Sequence, residues 1–171
     1  MVAAGVGTGA GTGAMVAEDR RTSGTFIEDE TIESRSSRRI KEQLGNKVHI
    51  NVTSFNRIVL LTGEVPEEAM KEQAERLVMT IQNVREIINE IAIAEKSSLT
   101  SRSKDALITS RVKGRFLTSG TFQINHIKVV TEDRTVYLLG MVKREEADNA
   151  AEIASSTSGV LKVVKAFEYL D

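Results

Sequence analysis

The sequence has no cysteine and no tryptophan, and only one proline and two histidines among its 171 residues. Without cysteine, the chain has no disulfide, no thiolate zinc site and no cysteine nucleophile. No apolar run approaches the roughly 18–20 residues that a membrane-spanning helix needs. The net charge is −1, from 23 basic and 24 acidic residues, so the chain as a whole has no electrostatic attraction for nucleic acid or an anionic membrane. Affinity for a polyanion must come from a local patch.

Recognisable catalytic motifs are absent as well. The sequence contains no Walker loop, HExxH motif or Ser-His-Asp order. The glycine-rich residues 5–13 neither follow a strand nor precede a periodic helix, and a nucleotide-binding loop requires both. His49 and His126 occupy similar positions at predicted strand starts without clustered ligands, so we interpret them as polar strand-edge residues. We expect no enzymatic activity, no metal and no cofactor.

Most of the chain consists of two copies of one unit. Residues 49–65 (HINVTSFNRIVLLTGEV) align with residues 126–142 (HIKVVTEDRTVYLLGMV). Upstream, residues 29–40 align with 105–116, and downstream, residues 83–91 align with 159–167. Agreement along the whole unit indicates an internal duplication.

Each copy is predicted to fold as αββαβ, which places the protein in the α+β class. The first helix of the second copy has apolar residues at helical spacing, namely Ile108, Val112 and Phe116. Two strands follow, and the second leads into a glycine, Gly63 or Gly140, where we expect positive φ or close backbone approach. Each copy is predicted to form a three-stranded sheet with two helices on one face. Because each core is small, we expect the two copies to pack against each other.

Composition divides the chain into four parts. We place a flexible Gly/Ala-rich tether at residues 1–27, because glycine, alanine and threonine there offer no periodic apolar face. The first domain is predicted at residues 28–94 and the second at residues 104–171. The polar, serine-rich residues 95–103 are predicted to form the linker between them.

The repeated pattern, with its motifs LLTGEV (60–65) and LLGMV (138–142), resembles the BON domain. Two such domains behind a segment such as DRRTSGTFIEDETIESR (19–35) resemble the dual-BON outer-membrane lipoproteins of Gram-negative bacteria. The resemblance implies a non-catalytic, lipid-anchored protein on the periplasmic face of the outer membrane. It also implies a role in envelope integrity, with the division site as one place of action, and binding of anionic phospholipid through the second BON domain.

The sequence departs from that family's pattern at one point. Mature members begin at a lipidated cysteine, and this sequence has none. We expect that a signal peptide and an anchor cysteine preceded this segment in the native precursor, with Met1 as an added start. We further expect a monomer that binds no nucleic acid, with envelope protein partners that the sequence does not identify.

The first helix of the second copy is the predicted membrane contact. With its apolar residues buried, helical geometry places Leu107 beside Lys104, Arg111 and Arg115 on one exposed flank. A leucine among cations suits an anionic lipid surface. The matching helix of the first copy is acidic at its start and has Thr31 in place of the leucine. From these residues alone, a solvated basic helix with one surface leucine explains the pattern equally well, and the resemblance favours lipid binding.

An alternative function is a soluble periplasmic stress protein, or a chaperone-like BON protein that binds protein clients. The precursor sequence separates the two hypotheses. A cysteine at the signal-peptide cleavage site indicates the lipoprotein, whereas a cleavage site without cysteine indicates the soluble protein.

Overall fold

The structure is a computed structural model that describes residues 19–171. The first unit comprises α1 (Ser23–Leu44), β1 (His49–Phe55), β2 (Ile58–Val65), α2 (Glu68–Met79), β3 (Glu86–Asn89) and β4 (Ala92–Ile93). The second comprises α3 (Leu99–Ser119), β5 (Ile127–Glu132), β6 (Thr135–Val142), α4 (Arg144–Ser155) and β7 (Lys162–Tyr169). The predicted αββαβ order is therefore confirmed in both copies. Across residues 19–171, no helix has the length and apolar character needed to cross a bilayer.

Both sheets have the same topology. The central strand pairs antiparallel with the strand before it and parallel with the last strand, giving the orders β1-β2-β3 and β5-β6-β7. In the first sheet the last strand is interrupted, and the short β4 also pairs with β2. At the interruption the side chain of Asn89 accepts a hydrogen bond from the backbone N–H of Ile91 at 3.3 Å. Ile91 is buried in the core as a result, whereas β7 runs without a break.

The central strands are apolar on both faces, which explains their unbroken apolar sequence. In β2, Val59 and Leu61 belong to the core of the first unit, whereas Leu60 between them belongs to a different cluster. That cluster lies between the sheets and consists of Phe55, Leu60, Tyr137 and Leu139. The two sheets therefore pack face to face, and each unit keeps its own core between its sheet and its helices. The predicted packing of the two copies is confirmed.

A buried aspartate ties each first helix to the hairpin that follows it. Asp29 of α1 accepts hydrogen bonds from both backbone N–H groups of the turn 56–57, at 2.8 and 2.7 Å. Asp105 of α3 accepts the equivalent pair from the turn 133–134, both at 2.9 Å. All four turn residues have positive φ, between 46° and 63°, as a type I′ hairpin turn requires. The carboxylates thus fix the position of each hairpin relative to its helix.

The matched glycines allow close approach of the backbone, as predicted. A Cβ atom at Gly63 would lie 1.9 Å from the carbonyl oxygen of His49, and one at Gly140 would lie 2.2 Å from that of His126. Gly63 also has φ of 117°, a conformation that favours glycine. A side chain at either position would push the paired strands apart.

Both first helices begin before the predicted domain starts. The side chains of Thr22 and Ser98 each accept a hydrogen bond from the backbone N–H three residues further on, at 3.1 Å. These N-caps start α1 at Ser23 and α3 at Leu99. Residues 99–103, predicted as part of the linker, therefore form the N-terminal end of α3.

The segment before α1 is packed against the folded domains. Arg20 makes two hydrogen bonds to the carboxylate of Glu146 in the second unit, at 2.7 and 2.9 Å. Arg21 forms an ion pair with Asp29 at 2.9 Å. Residues 19–27, predicted to belong to the flexible tether, are instead bound through these pairs and through the first turns of α1. Residues 1–18 of the predicted tether lie outside the described residues.

Candidate functional site

Helix α3 has one buried and one exposed face. Its buried residues are Asp105, Ile108, Val112 and Phe116, which confirms the predicted apolar positions. The four residues predicted to bind phospholipid are all exposed, and we refer to them together as the α3 face: Lys104, Leu107, Arg111 and Arg115. The side chain of Leu107 is apolar and half exposed, at 51%. The helix thus presents an apolar group and three cations to solvent.

The charge on α3 differs from that on α1. The sole acidic residue of α3, Asp105, is buried and bonded to the hairpin turn, and it forms no ion pair with the three exposed cations of the α3 face. At the equivalent place α1 carries Thr31, next to the exposed Glu30. An exposed Ile27 also lies one turn before Thr31, but with acidic neighbours. An anionic surface would attract α3 and repel the start of α1.

Two arginines of the α3 face also make contacts within the protein. Arg115 Nη1 donates hydrogen bonds to the carbonyl oxygen of Ile153 at 2.7 Å and to the hydroxyl of Thr157 at 2.9 Å. Arg111 Nη1 donates to the carbonyl oxygen of Ser158 at 3.4 Å. Through one guanidinium nitrogen each, Arg115 therefore holds the end of α4 against α3 and Arg111 contacts the turn that follows, a role that the sequence did not reveal. Their other N–H groups find no acceptor among residues 19–171.

The turn after α4 adds an exposed leucine that was not among the predicted site residues. Leu161 is 68% exposed. Its turn packs on α3, because a Cβ atom at Gly159 would lie 3.1 Å from the side chain of Ile108 and 3.7 Å from Arg111 Nη1. The repeat alignment contained the information needed to find it, since Leu161 replaces Arg85 of the first copy. In the same way, α3 has Leu107 where α1 has the polar Thr31.

The fold also brings together three potential metal ligands that are distant in sequence. His49 Nδ1 lies 3.0 Å from Glu64 Oε2 and 3.9 Å from Glu132 Oε2. Burial raises the pKa of Glu132, and the charge of Glu64 adds to that effect. Burial opposes the ionisation of Glu64 too, but hydrogen bonds from Ser97 and His49 outweigh it and lower its pKa. The sequence alone predicts a polar strand-edge residue at His49, because no local motif links these three positions.

Comparison with known proteins identifies the family. The profile of the BON domain matches residues 28–95 and 104–171, so the chain belongs to the BON-domain family and contains two such domains in tandem. It is 40% identical to the outer membrane lipoprotein DolP of Haemophilus influenzae, over 99% of this chain and 89% of that protein. The resemblance inferred from the sequence is confirmed, and this is a BON protein of the DolP type.

The chain is also similar to more distant relatives over most of their length. The chain is 36% identical to the 21 kDa hemolysin of Actinobacillus pleuropneumoniae, over 89% of this chain and 79% of that protein. It is 26% identical to the osmotically-inducible protein Y of Escherichia coli, over 82% of this chain and 72% of that protein.

Proposed function

We propose that this protein is a non-catalytic lipoprotein of the outer membrane that faces the periplasm and binds anionic phospholipid through its second BON domain. In this role it supports the integrity of the envelope, including at the division site. Its extensive identity to a protein named as an outer membrane lipoprotein supports the location. The α3 face supports the binding activity.

The observation that carries the proposal is the difference between two equivalent helices. Both α1 and α3 pack on their sheets in the same way and both use a buried aspartate to hold the hairpin. The fold does not require a leucine at position 107, because α1 has Thr31 at the matching position and folds alike. An apolar side chain that packing does not need, surrounded by cations, is typical of a membrane-binding surface.

The interaction is expected to be weak and reversible. Each cation near an anionic surface contributes about 1 kcal/mol, and salt reduces that contribution. Full burial of a leucine contributes about 1.5–3 kcal/mol, and Leu107 starts half buried, so its share is smaller. A lipid anchor at the N-terminal end compensates, because tethering to the bilayer raises the effective concentration of the α3 face.

Vesicle flotation with a matched pair of variants tests the proposal. We expect the parent protein to float with vesicles that contain phosphatidylglycerol and not with pure phosphatidylcholine. Leu107→Glu should weaken binding at least about tenfold, because it loses the apolar insertion and adds a repelled charge. Thr31→Glu, the equivalent change in α1, should bind like the parent. Circular dichroism should show that both variants remain folded.

Two results would contradict the proposal. Equal flotation of the parent and Leu107→Glu would show that the α3 face does not contact lipid. A parent that binds neither vesicle, yet suppresses aggregation of a denatured protein, would support the alternative of a soluble, chaperone-like protein. The cysteine content of the native precursor gives an independent check on the anchor.

A further inference from the structure

One imidazole and two carboxylates meet at the junction of the two domains. His49 begins β1 and pairs across the sheet with Glu64 of β2, whereas Glu132 ends β5 in the other domain. One ligand atom from each of the three side chains lies within 4.8 Å of the others. A ligand held by all three residues would therefore join the two domains.

Each carboxylate is oriented by donors that bind its Oε1 atom. The backbone N–H of Ser97 donates to Glu64 Oε1 at 2.7 Å. The side-chain amide of Asn51 donates to Glu132 Oε1, and a threonine hydroxyl adds a longer contact to the same oxygen. The two Oε2 atoms are left to face His49 Nδ1, at 3.0 and 3.9 Å. Carboxylates held in this way by an outer set of hydrogen bonds are characteristic of metal sites.

The cluster carries buried negative charge that no basic side chain balances. Glu64 and Glu132 are 8% and 7% exposed. Within the part of the chain that the structure describes, neither carboxylate forms an ion pair with a lysine or arginine, and both face the imidazole of His49. Buried carboxylates are costly unless a cation or a proton compensates them. A divalent cation would supply that compensation.

We propose that His49, Glu64 and Glu132 bind a divalent transition-metal ion, with Zn²⁺ as the ion that their ligand set fits best. Zinc takes imidazole nitrogen and carboxylate oxygen at about 2.0–2.2 Å in tetrahedral geometry, which separates ligand atoms by about 3.4 Å. The observed separations of 3.0 and 3.9 Å lie on either side of that value, so small side-chain rotations suffice. A water molecule would complete the fourth position.

The position of the cluster allows an ion to enter from solvent. A cleft of about 340 Å³ is lined in part by Glu64 and Glu132, and another of about 250 Å³ is lined in part by His49 and Glu132. The three ligands thus sit where two clefts approach each other. Bound there, the ion would connect β1 and β2 of the first domain with β5 of the second.

The repeat supplies a matched control for this site. His126 is the equivalent of His49, but Met141 replaces Glu64 and Phe55 replaces Glu132 in the corresponding places. His126 lies 4.0 Å from one carboxylate, that of Glu146, which Arg20 already pairs. The second histidine therefore has the same place in the fold, but the residues equivalent to Glu64 and Glu132 are not carboxylates there.

The test is a Zn²⁺ titration of the chelator-treated protein by calorimetry, with the melting temperature measured in parallel. We expect one ion per chain in the parent and a melting temperature that rises with Zn²⁺ concentration, because binding to the folded state alone stabilises it. His49→Asn and Glu132→Gln should each lower the affinity for Zn²⁺ at least about 100-fold. Loss of a residue that only hydrogen-bonds to a metal ligand already lowers metal affinity about 10–100-fold, and these variants lose a ligand itself. His126→Asn should bind Zn²⁺ like the parent.

Two outcomes would overturn the proposal. The first is a parent that binds no Zn²⁺ at millimolar concentration, which would leave the cluster as a hydrogen-bonded network only. The second is unchanged affinity in Glu132→Gln, a substitution that keeps the size of the side chain and so decides the question even where His49→Asn does not fold. Vesicle binding by the α3 face is a separate measurement, and its result does not affect this one.

Discussion

Asp29 and Asp105 show what the duplication preserves at the level of single side chains. Each is buried in the first helix of its domain and accepts two backbone N–H groups of a hairpin turn. Asp29 has further partners, because it also accepts a hydrogen bond from the hydroxyl of Ser54 at 2.7 Å and pairs with Arg21 at 2.9 Å. The two aspartates therefore share one structural role but differ in how many groups depend on them.

This difference leads to a prediction about stability. Asp105→Ala should lower the free energy of unfolding by at least about 2 kcal/mol, because each buried donor left without a partner costs about 1–3 kcal/mol. Asp29→Ala should cost more, since it also removes the partner of the Ser54 hydroxyl and one of the two carboxylates that pair with Arg21. Urea denaturation of both variants measures the effect. A smaller decrease in unfolding free energy for Asp29→Ala than for Asp105→Ala would show that the additional contacts of Asp29 do not contribute to stability.

At the scale of elements, the turn between α4 and β7 extends the surface formed by α3. The turn contacts α3 through Gly159, and Arg111 and Arg115 bind its carbonyl and hydroxyl oxygens. Leu161 is exposed on this turn. Because this turn is bonded to α3, Leu161 would approach a bilayer together with the proposed α3 face.

We therefore predict a contribution of Leu161 to vesicle binding. Leu161→Ser should weaken binding to phosphatidylglycerol vesicles about three- to tenfold, because part of the apolar contact is lost. Its melting temperature should stay at the parent value, since the side chain is exposed. Arg85→Ser, the equivalent change in the first domain, serves as the control and should bind like the parent. Identical binding by both variants would restrict the contact to α3.

Much of the fold was predictable because the duplication repeats the sequence pattern of each helix and strand. The alignment gave the αββαβ order, the buried positions of α3 and the close approach at Gly63 and Gly140. The early start of α3 was missed, because Ser98 reads as linker composition until its capping hydrogen bond is seen. The cluster of His49, Glu64 and Glu132 was out of reach, because its members come from different strands of two domains and no local spacing connects them. The α3 face was the part of the candidate site that helical periodicity could predict.

At the scale of the whole molecule, the N-terminal segment connects the two domains by contacting both of them. It continues into α1 of the first domain, while Arg20 holds Glu146 of the second through two hydrogen bonds. These hydrogen bonds from Arg20 are the main reason that the pKa of Glu146 lies below its ordinary value. A backbone N–H from Lys143 adds to the effect.

The lowered pKa predicts how stability depends on pH. Because the folded state binds a proton at Glu146 less readily than the unfolded state does, the ionised carboxylate stabilises the fold above the ordinary pKa of 4.5. That contribution should disappear as the pH falls through the lower, folded-state pKa. The difference in unfolding free energy between the parent and Glu146→Gln should thus be largest near neutral pH and shrink below pH 4.5. A difference that stays constant down to pH 3 would contradict the ion pair's role.

The contact between the sheets has an evolutionary consequence. Leu60 and Tyr137 occupy equivalent positions in the two copies, and both lie in the cluster between the sheets. Each copy therefore covers the other with the same strand and the same face, which is the self-complementary arrangement of a symmetric homodimer. A single copy with this apolar face exposed is expected to associate with a second copy of itself. Within one chain this contact no longer depends on protein concentration, and the two outer helices differ, one with cations and leucine and the other with acids at its start.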